Sequence, residues 1–108
     1  MRTNDNVLKT TELCGRQFTV YGTPAEPLFK AADIAQFIGH TDVSMMMKAI
    51  DTDEKLIQTM LVSGQNRQVW MLTENGLYEV LMQSRKPIAK EFKKGVKAIL
   101  KEIRTNGG

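Results

Sequence analysis

From Pro87 the chain reaches Arg104 without another proline, and Ile88, Phe92, Val96, Ile99, Leu100 and Ile103 recur three and four positions apart. At about 100° per residue these side chains gather into a sector of roughly 120°, which specifies one long helix with a single side to bury. Such a helix needs another layer of structure to lie against. Its remaining surface is as strongly patterned. Lys90, Lys93, Lys94, Lys97, Lys101 and Arg104 fall in a second sector of roughly 100°, opposite the apolar one. Arg85 and Lys86 stand just before the helix, at a Ser84-Arg85-Lys86-Pro87 turn.

The modest net charge of +3 therefore hides a polarised chain. Residues 85–104 hold eight basic and two acidic side chains, whereas the rest holds seven basic and ten acidic. Like charges at i, i+4 repel by a few tenths of a kcal/mol per pair. A polyanion would offset that cost through counterion release. A lysine-rich face is also the ordinary form of a solvated helix side, so the pattern alone leaves both readings open.

A length of 108 residues fits one domain, and 42% apolar with 25% charged content is ordinary for a globular chain. The single cysteine, Cys14, allows no internal disulfide, which suits a reducing compartment. No apolar run is long enough for a membrane span, and the N-terminus lacks the apolar stretch of a secretory signal. These features lead us to expect a soluble cytoplasmic domain with no membrane partner. Composition divides the chain into a flexible segment at 1–11, a domain at 12–105 and a tail or linker at 106–108.

Along the chain, Phe18 and Val20 alternate with Thr19 and Tyr21 as in a strand, and the 22–27 segment is a turn by composition. Leu28-Phe29 then returns to complete a hairpin. Ala31 to Ile38 reads as a helix ended by Gly39. Thr41 is expected to cap a second helix, with Val43, Met46, Met47 and Ile50 inward and Thr41, Ser44, Met45 and Lys48 outward. The pair has the outline of a helix-turn-helix, or of a plain αα-corner. Lys55 to Val62 and Arg67 to Leu72 form a second hairpin around a 63–66 turn, with Arg67 near its tip. Thr73 caps a helix whose Leu77, Val80, Leu81 and Ser84 share a face. The expected class is α+β: a single small domain of two β-hairpins, each followed by a pair of helices.

Catalytic chemistry finds little support. The lone histidine, His40, sits at a glycine turn, where capping or phosphate contact is the commoner role. One histidine and one cysteine do not make a transition-metal site. Asp51, Asp53 and Glu54 lack the glycine and closing glutamate of a calcium loop. No glycine-rich phosphate loop follows a strand. We expect no enzyme activity, no metal and no cofactor.

Two blocks of residues are similar to the N-terminal domain of the BRO family. The first is Phe29-Lys30-Ala31 with Asp33-Ile34-Ala35 and Ile38-Gly39-His40. The second, more specific, is Leu72-Thr73-Glu74, Gly76-Leu77-Tyr78, Ser84-Arg85-Lys86-Pro87, Ala89-Lys90 and Phe92. The resemblance covers roughly 12–105 and implies a DNA-binding domain of the kind found in viral and prophage antirepressor proteins. Three positions depart from the family pattern. Gly95 stands where a tryptophan is usual, Lys101 where a proline is common, and His40 where an aromatic is usual. A mid-helix glycine costs about 1 kcal/mol against alanine, and losing the indole predicts a less firmly docked last helix.

Residues and resemblance together lead us to expect a DNA-binding domain of an antirepressor-like or transcription-regulatory protein acting on double-stranded DNA. Arg85, Lys86, Lys90, Lys93, Lys94 and Lys97 are the candidate phosphate contacts. Thr41, Ser44 and Lys48, with His40 and Arg67, are the candidates to reach bases or flanking backbone. The alternative is an interaction module that binds a repressor or a second copy of the chain, with Met45, Trp70 and Tyr78 as its apolar patch.

Overall fold

The computed structural model describes residues 7–106. Five strands and four helices follow in the order β1 (Val7–Leu13), β2 (Arg16–Gly22), β3 (Pro27–Lys30), α1 (Ala31–Ile38), α2 (Val43–Lys48), β4 (Lys55–Val62), β5 (Gln65–Thr73), α3 (Glu74–Gln83) and α4 (Pro87–Asn106), with a 3-10 turn at Thr52–Glu54 before β4. The class is α+β, as composition and periodicity imply, but the strands do not form two separate hairpin units. They make one antiparallel sheet in the order β1-β2-β3-β5-β4, because β5 pairs with β3, Phe29 lying opposite Leu72.

Residues 7–11, expected to be loose for their polarity, belong to β1, so this strand crosses the boundary placed at residue 12. A register irregularity between Val7 and Lys9 explains why the strand is hard to see in sequence. It breaks the period of two and lets both Leu8 and Leu13 pack against the main core. Residues 1–6 of the segment expected to be flexible, and 107–108 of the expected tail, lie outside the described residues. Asn106, placed at the start of the expected tail, continues α4.

One face of the sheet carries the core. Phe18, Val20, Phe29 and Leu72 from the strands meet Ile34 and Ile38 of α1, Leu77 and Leu81 of α3, and Phe92, Val96 and Leu100 of α4. All four phenylalanines of the chain join here. Phe18 on β2 lies 6.0 Å from Phe29 and 5.3 Å from Phe92, edge-on to the latter, while Phe92 lies 4.6 Å from Phe37 of α1. Tyr21, Met60 and Met71 form a smaller cluster with Leu28, Leu56, Val62 and Val69.

Local signals account for most helix boundaries. Gly39 adopts φ 73° and closes α1. The N-cap of α2 is Asp42, whose carboxylate accepts the Met45 N–H at 3.0 Å, and not Thr41 as expected; the helix starts one residue later, at Val43, which puts the N3 amide within reach of Asp42. Thr73 caps α3 by accepting the Gly76 N–H at 3.1 Å and also donates to the Glu54 carbonyl at 3.3 Å. That second bond draws the 3-10 turn against the first turn of α3, so a Cβ at Gly76 would collide with the Glu54 backbone. Gly76→Ala should therefore destabilise the fold. The usual gain of about 1 kcal/mol from helix propensity is outweighed by an overpacking cost of roughly 1–3 kcal/mol. Urea denaturation of the two proteins measures the sign.

The glycine at 95 has a comparable explanation. A Cβ there would run into the Leu13 side chain, so the bare backbone is where β1 docks on α4. The expectation that an absent indole weakens docking of this helix is replaced by a specific contact: leucine from β1 lies where a larger side chain on α4 would stand.

Candidate nucleic-acid interface

The basic residues are positioned by two turns that meet. The α3–α4 turn is held by Ser84, whose hydroxyl accepts the Lys86 N–H at 3.3 Å, and by Pro87 opening α4. The Lys86 ammonium donates to the Gly39 carbonyl at 2.8 Å, which fastens this turn to the α1–α2 turn. Between them lies a groove with an apolar floor of Ile38, Met46 and Val80 and a polar rim of His40, Arg85 and Lys86. A second groove runs on along α4 past Arg85, Lys86, Lys90, Lys93 and Lys94. Five of the six cations expected to meet phosphates thus line one continuous surface, and Arg85 and Lys86 belong to both grooves.

Lys97 is one turn further along and lies 5.8 Å from the centre of the Tyr78 ring. Arg104 is withdrawn from the row. Its guanidinium grips both Glu74 carboxylate oxygens, at 2.7 and 3.4 Å, and its Nε donates to the Pro24 carbonyl at 3.0 Å. Among the described residues, the only other ion pair is Lys9 with Glu102, at 3.9 Å. None of Arg85, Lys86, Lys90, Lys93, Lys94 and Lys97 is paired with a described carboxylate. Acidic side chains collect elsewhere: Asp51, Asp53 and Glu54 crowd the 3-10 turn. Burial and that neighbouring negative charge hold the Glu54 carboxyl above its usual range.

The remaining expected site residues are dispersed. His40 belongs to the first groove, and its Nδ1 accepts the Asp42 N–H at 3.2 Å, a backbone-capping role. Thr41, Ser44 and Lys48 are exposed on the α1–α2 unit and line neither groove. Arg67 lies within β5 opposite Met60, in the third residue pair from the Ser63-Gly64 turn, whose two residues both have positive φ, and it donates to Gln65 at 3.3 Å. Sequence reasoning missed two long-range links, Lys86 to Gly39 and Arg104 to Glu74, because neither leaves a local periodic signal.

The pairing with Arg104 holds the Glu74 carboxyl below its ordinary value of 4.5. Burial, with the Glu74 charge, pushes the Tyr78 hydroxyl, which donates to Glu74 at 3.1 Å, up to about 12. A carboxylate whose folded value is depressed stabilises the fold above its unfolded value and loses that contribution as pH falls through the folded one. Wild-type stability should therefore drop on acidification below about 4.5 more steeply than that of Glu74→Gln, as thermal melts across that window would show.

No helix among the described residues is long and apolar enough to cross a membrane. Comparison with known families finds one match, the BRO family N-terminal domain, over residues 17–102. No curated protein and no solved structure gives a significant match.

Proposed function

The chain belongs to the BRO family as an N-terminal domain, and from that premise we propose that it binds duplex DNA, without catalysis, through the α3–α4 turn and the outward side of α4. At the level of the family such a domain is of DNA-binding, antirepressor type. The observation that carries the residue-level reading is the row Arg85, Lys86, Lys90, Lys93, Lys94 and Lys97, free of described carboxylate partners. Lys86–Lys90, Lys90–Lys94, Lys93–Lys97 and Lys97–Lys101 are like-charge i, i+4 pairs. Together they cost the isolated helix about 1–2 kcal/mol. A phosphate backbone converts that repulsion into attraction and releases condensed counterions.

From Lys86 to Lys97 the helix rises about 16 Å, close to the axial length of five base pairs. Contacts along it position the domain on the backbone and carry no sequence information themselves. Thr41, Ser44 and Lys48, exposed on α2 and the turn before it, are the side chains we assign to base edges, and His40 to the flanking phosphate. Arg67, on the sheet and outside both grooves, is the weakest member of the set. The biological role that fits is a transcription-regulatory protein of prophage antirepressor type.

If six cations engage phosphates, the log–log dependence of affinity on salt should have a slope of about −5. Fluorescence anisotropy with a short random duplex between low and physiological salt gives that slope, and a value near zero removes the reading. A second reading is favoured by Met45 and Met82, which are 60% and 66% exposed at the rims of the two grooves. Flexible methionines flanking a basic turn suit a protein partner such as a repressor. Tyr78 and Trp70 do not contribute to that surface, since Tyr78 is bonded to Glu74 and Trp70 lies on β5.

A further inference from the structure

The groove between the α1–α2 and α3–α4 turns offers more than a phosphate backbone can use. Its volume is about 460 Å³, in the range of ligand-binding clefts. The lining is mostly apolar, with Ile38, Met46 and Val80 as the floor and Ala49 and the exposed Met45 beside it. A duplex backbone can occupy the rim but brings nothing apolar to lay on that floor. The rim itself has one sign of charge. Among the described residues no carboxylate lines the groove, whereas Arg85 and Lys86 do. Lys86 gives one ammonium proton to the Gly39 carbonyl, and Arg85 has no described carboxylate partner. His40 accepts the Asp42 N–H at Nδ1, which leaves Nε2 as the donor of the neutral ring. An apolar trough is thus bordered by three donors and by no acid.

Resting on the reading that a protein partner meets this surface, we propose that the groove receives an acidic, amphipathic segment of that partner. A large aliphatic side chain of the segment lies on the floor, and neighbouring carboxylates meet Arg85 and Lys86. Charge complementarity selects the occupant. A basic rim without carboxylates rejects a basic or neutral apolar segment, and an apolar floor gives little to a purely acidic one. Arginine at such a rim suits a carboxylate, which it can bind through two parallel N–H groups. The unbranched Met45 side chain, 60% exposed, can fold over whichever aliphatic group enters. Arg85 and Lys86 also line the second groove, along α4, where they are assigned to phosphates. A segment seated on them therefore removes two of the six phosphate contacts, so the partner and DNA exclude one another.

The test uses the full chain and no nucleic acid, so its failure is separate from a failure to bind DNA. The probe is a fluorescein-labelled synthetic peptide of leucine and glutamate with its leucines at helical spacing. Anisotropy should show saturable binding with a Kd of about 10–100 μM. Replacing the leucines by serine, or the glutamates by glutamine, should each weaken binding at least about tenfold. Met45→Ser should weaken it at least about fivefold with an unchanged circular dichroism spectrum, since the side chain is exposed. Arg85→Gln should do the same. Absence of saturable binding up to about 1 mM overturns the proposal. Equal binding of the serine peptide also overturns it, because the surface would then hold any polyanion. So does wild-type affinity in both Met45→Ser and Arg85→Gln, which would put the peptide elsewhere.

Discussion

Reversing charge at Lys90, Lys93 and Lys97 to glutamate is expected to abolish DNA binding while leaving the domain folded. Lys90 and Lys97 are exposed and Lys93 half-exposed, and no described carboxylate relies on them. Their replacement makes the 90–94 pair attractive and leaves 93–97 a like-charge pair of opposite sign, so helix stability should change little. Three lost phosphate contacts reduce the salt slope from about −5 to about −3. Three introduced repulsions lower affinity further, and a fall of at least about 100-fold is expected at low salt. Anisotropy on the same duplex measures the loss, and circular dichroism confirms the fold. Undiminished binding would move the contact surface away from α4. A variant that loses DNA but still captures a repressor would separate the two readings of the surface.

The largest effect on stability is expected from Phe92→Ala. Phe92 is fully buried and touches the rings of both Phe18 and Phe37, so it joins α4 to β2 and α1 at once. Truncating a buried phenylalanine costs about 3–5 kcal/mol, a large part of the 5–15 kcal/mol that holds a domain of this size. For a chain of about 100 residues each kcal/mol lowers the melting temperature by roughly 4–8 °C, so a drop of at least about 12 °C is expected. Calorimetry on the two proteins decides it. A small shift would mean that α4 is docked mainly by Ala89, Val96, Leu100 and Ile103, and that the aromatic cluster is incidental.

The elements legible in sequence are those whose stabilising residues are close together. α1 ends at Gly39 and α3 begins at Thr73 because the capping residue and its target amide lie within a turn of each other. β4 spans Lys55–Val62, the segment its β-branched and aliphatic residues indicate. The apolar stripe of α4 is the buried stripe, since one period governs the whole helix. What was hidden depends on partners far along the chain. β1 owes its position to pairing with β2 and to two leucines brought to one face by an irregularity. The joining of β3 to β5 merges what local patterns present as two hairpins. At the candidate interface the cluster Arg85 to Lys94 was legible as a charge pattern. The loss of Arg104 from the row was not, because its partners Glu74 and Pro24 are distant in sequence.

The bond from Lys86 to Gly39 bears on how a phosphate would be received. A lysine side chain gives up roughly 1.5–2 kcal/mol of rotational freedom when it is fixed in place. Here that loss accompanies folding, and the ammonium retains two of its three protons for another acceptor. An anion arriving at the junction of the two turns meets a cation already aimed, and the helix pair α1–α2 is oriented by the same event that seats α4.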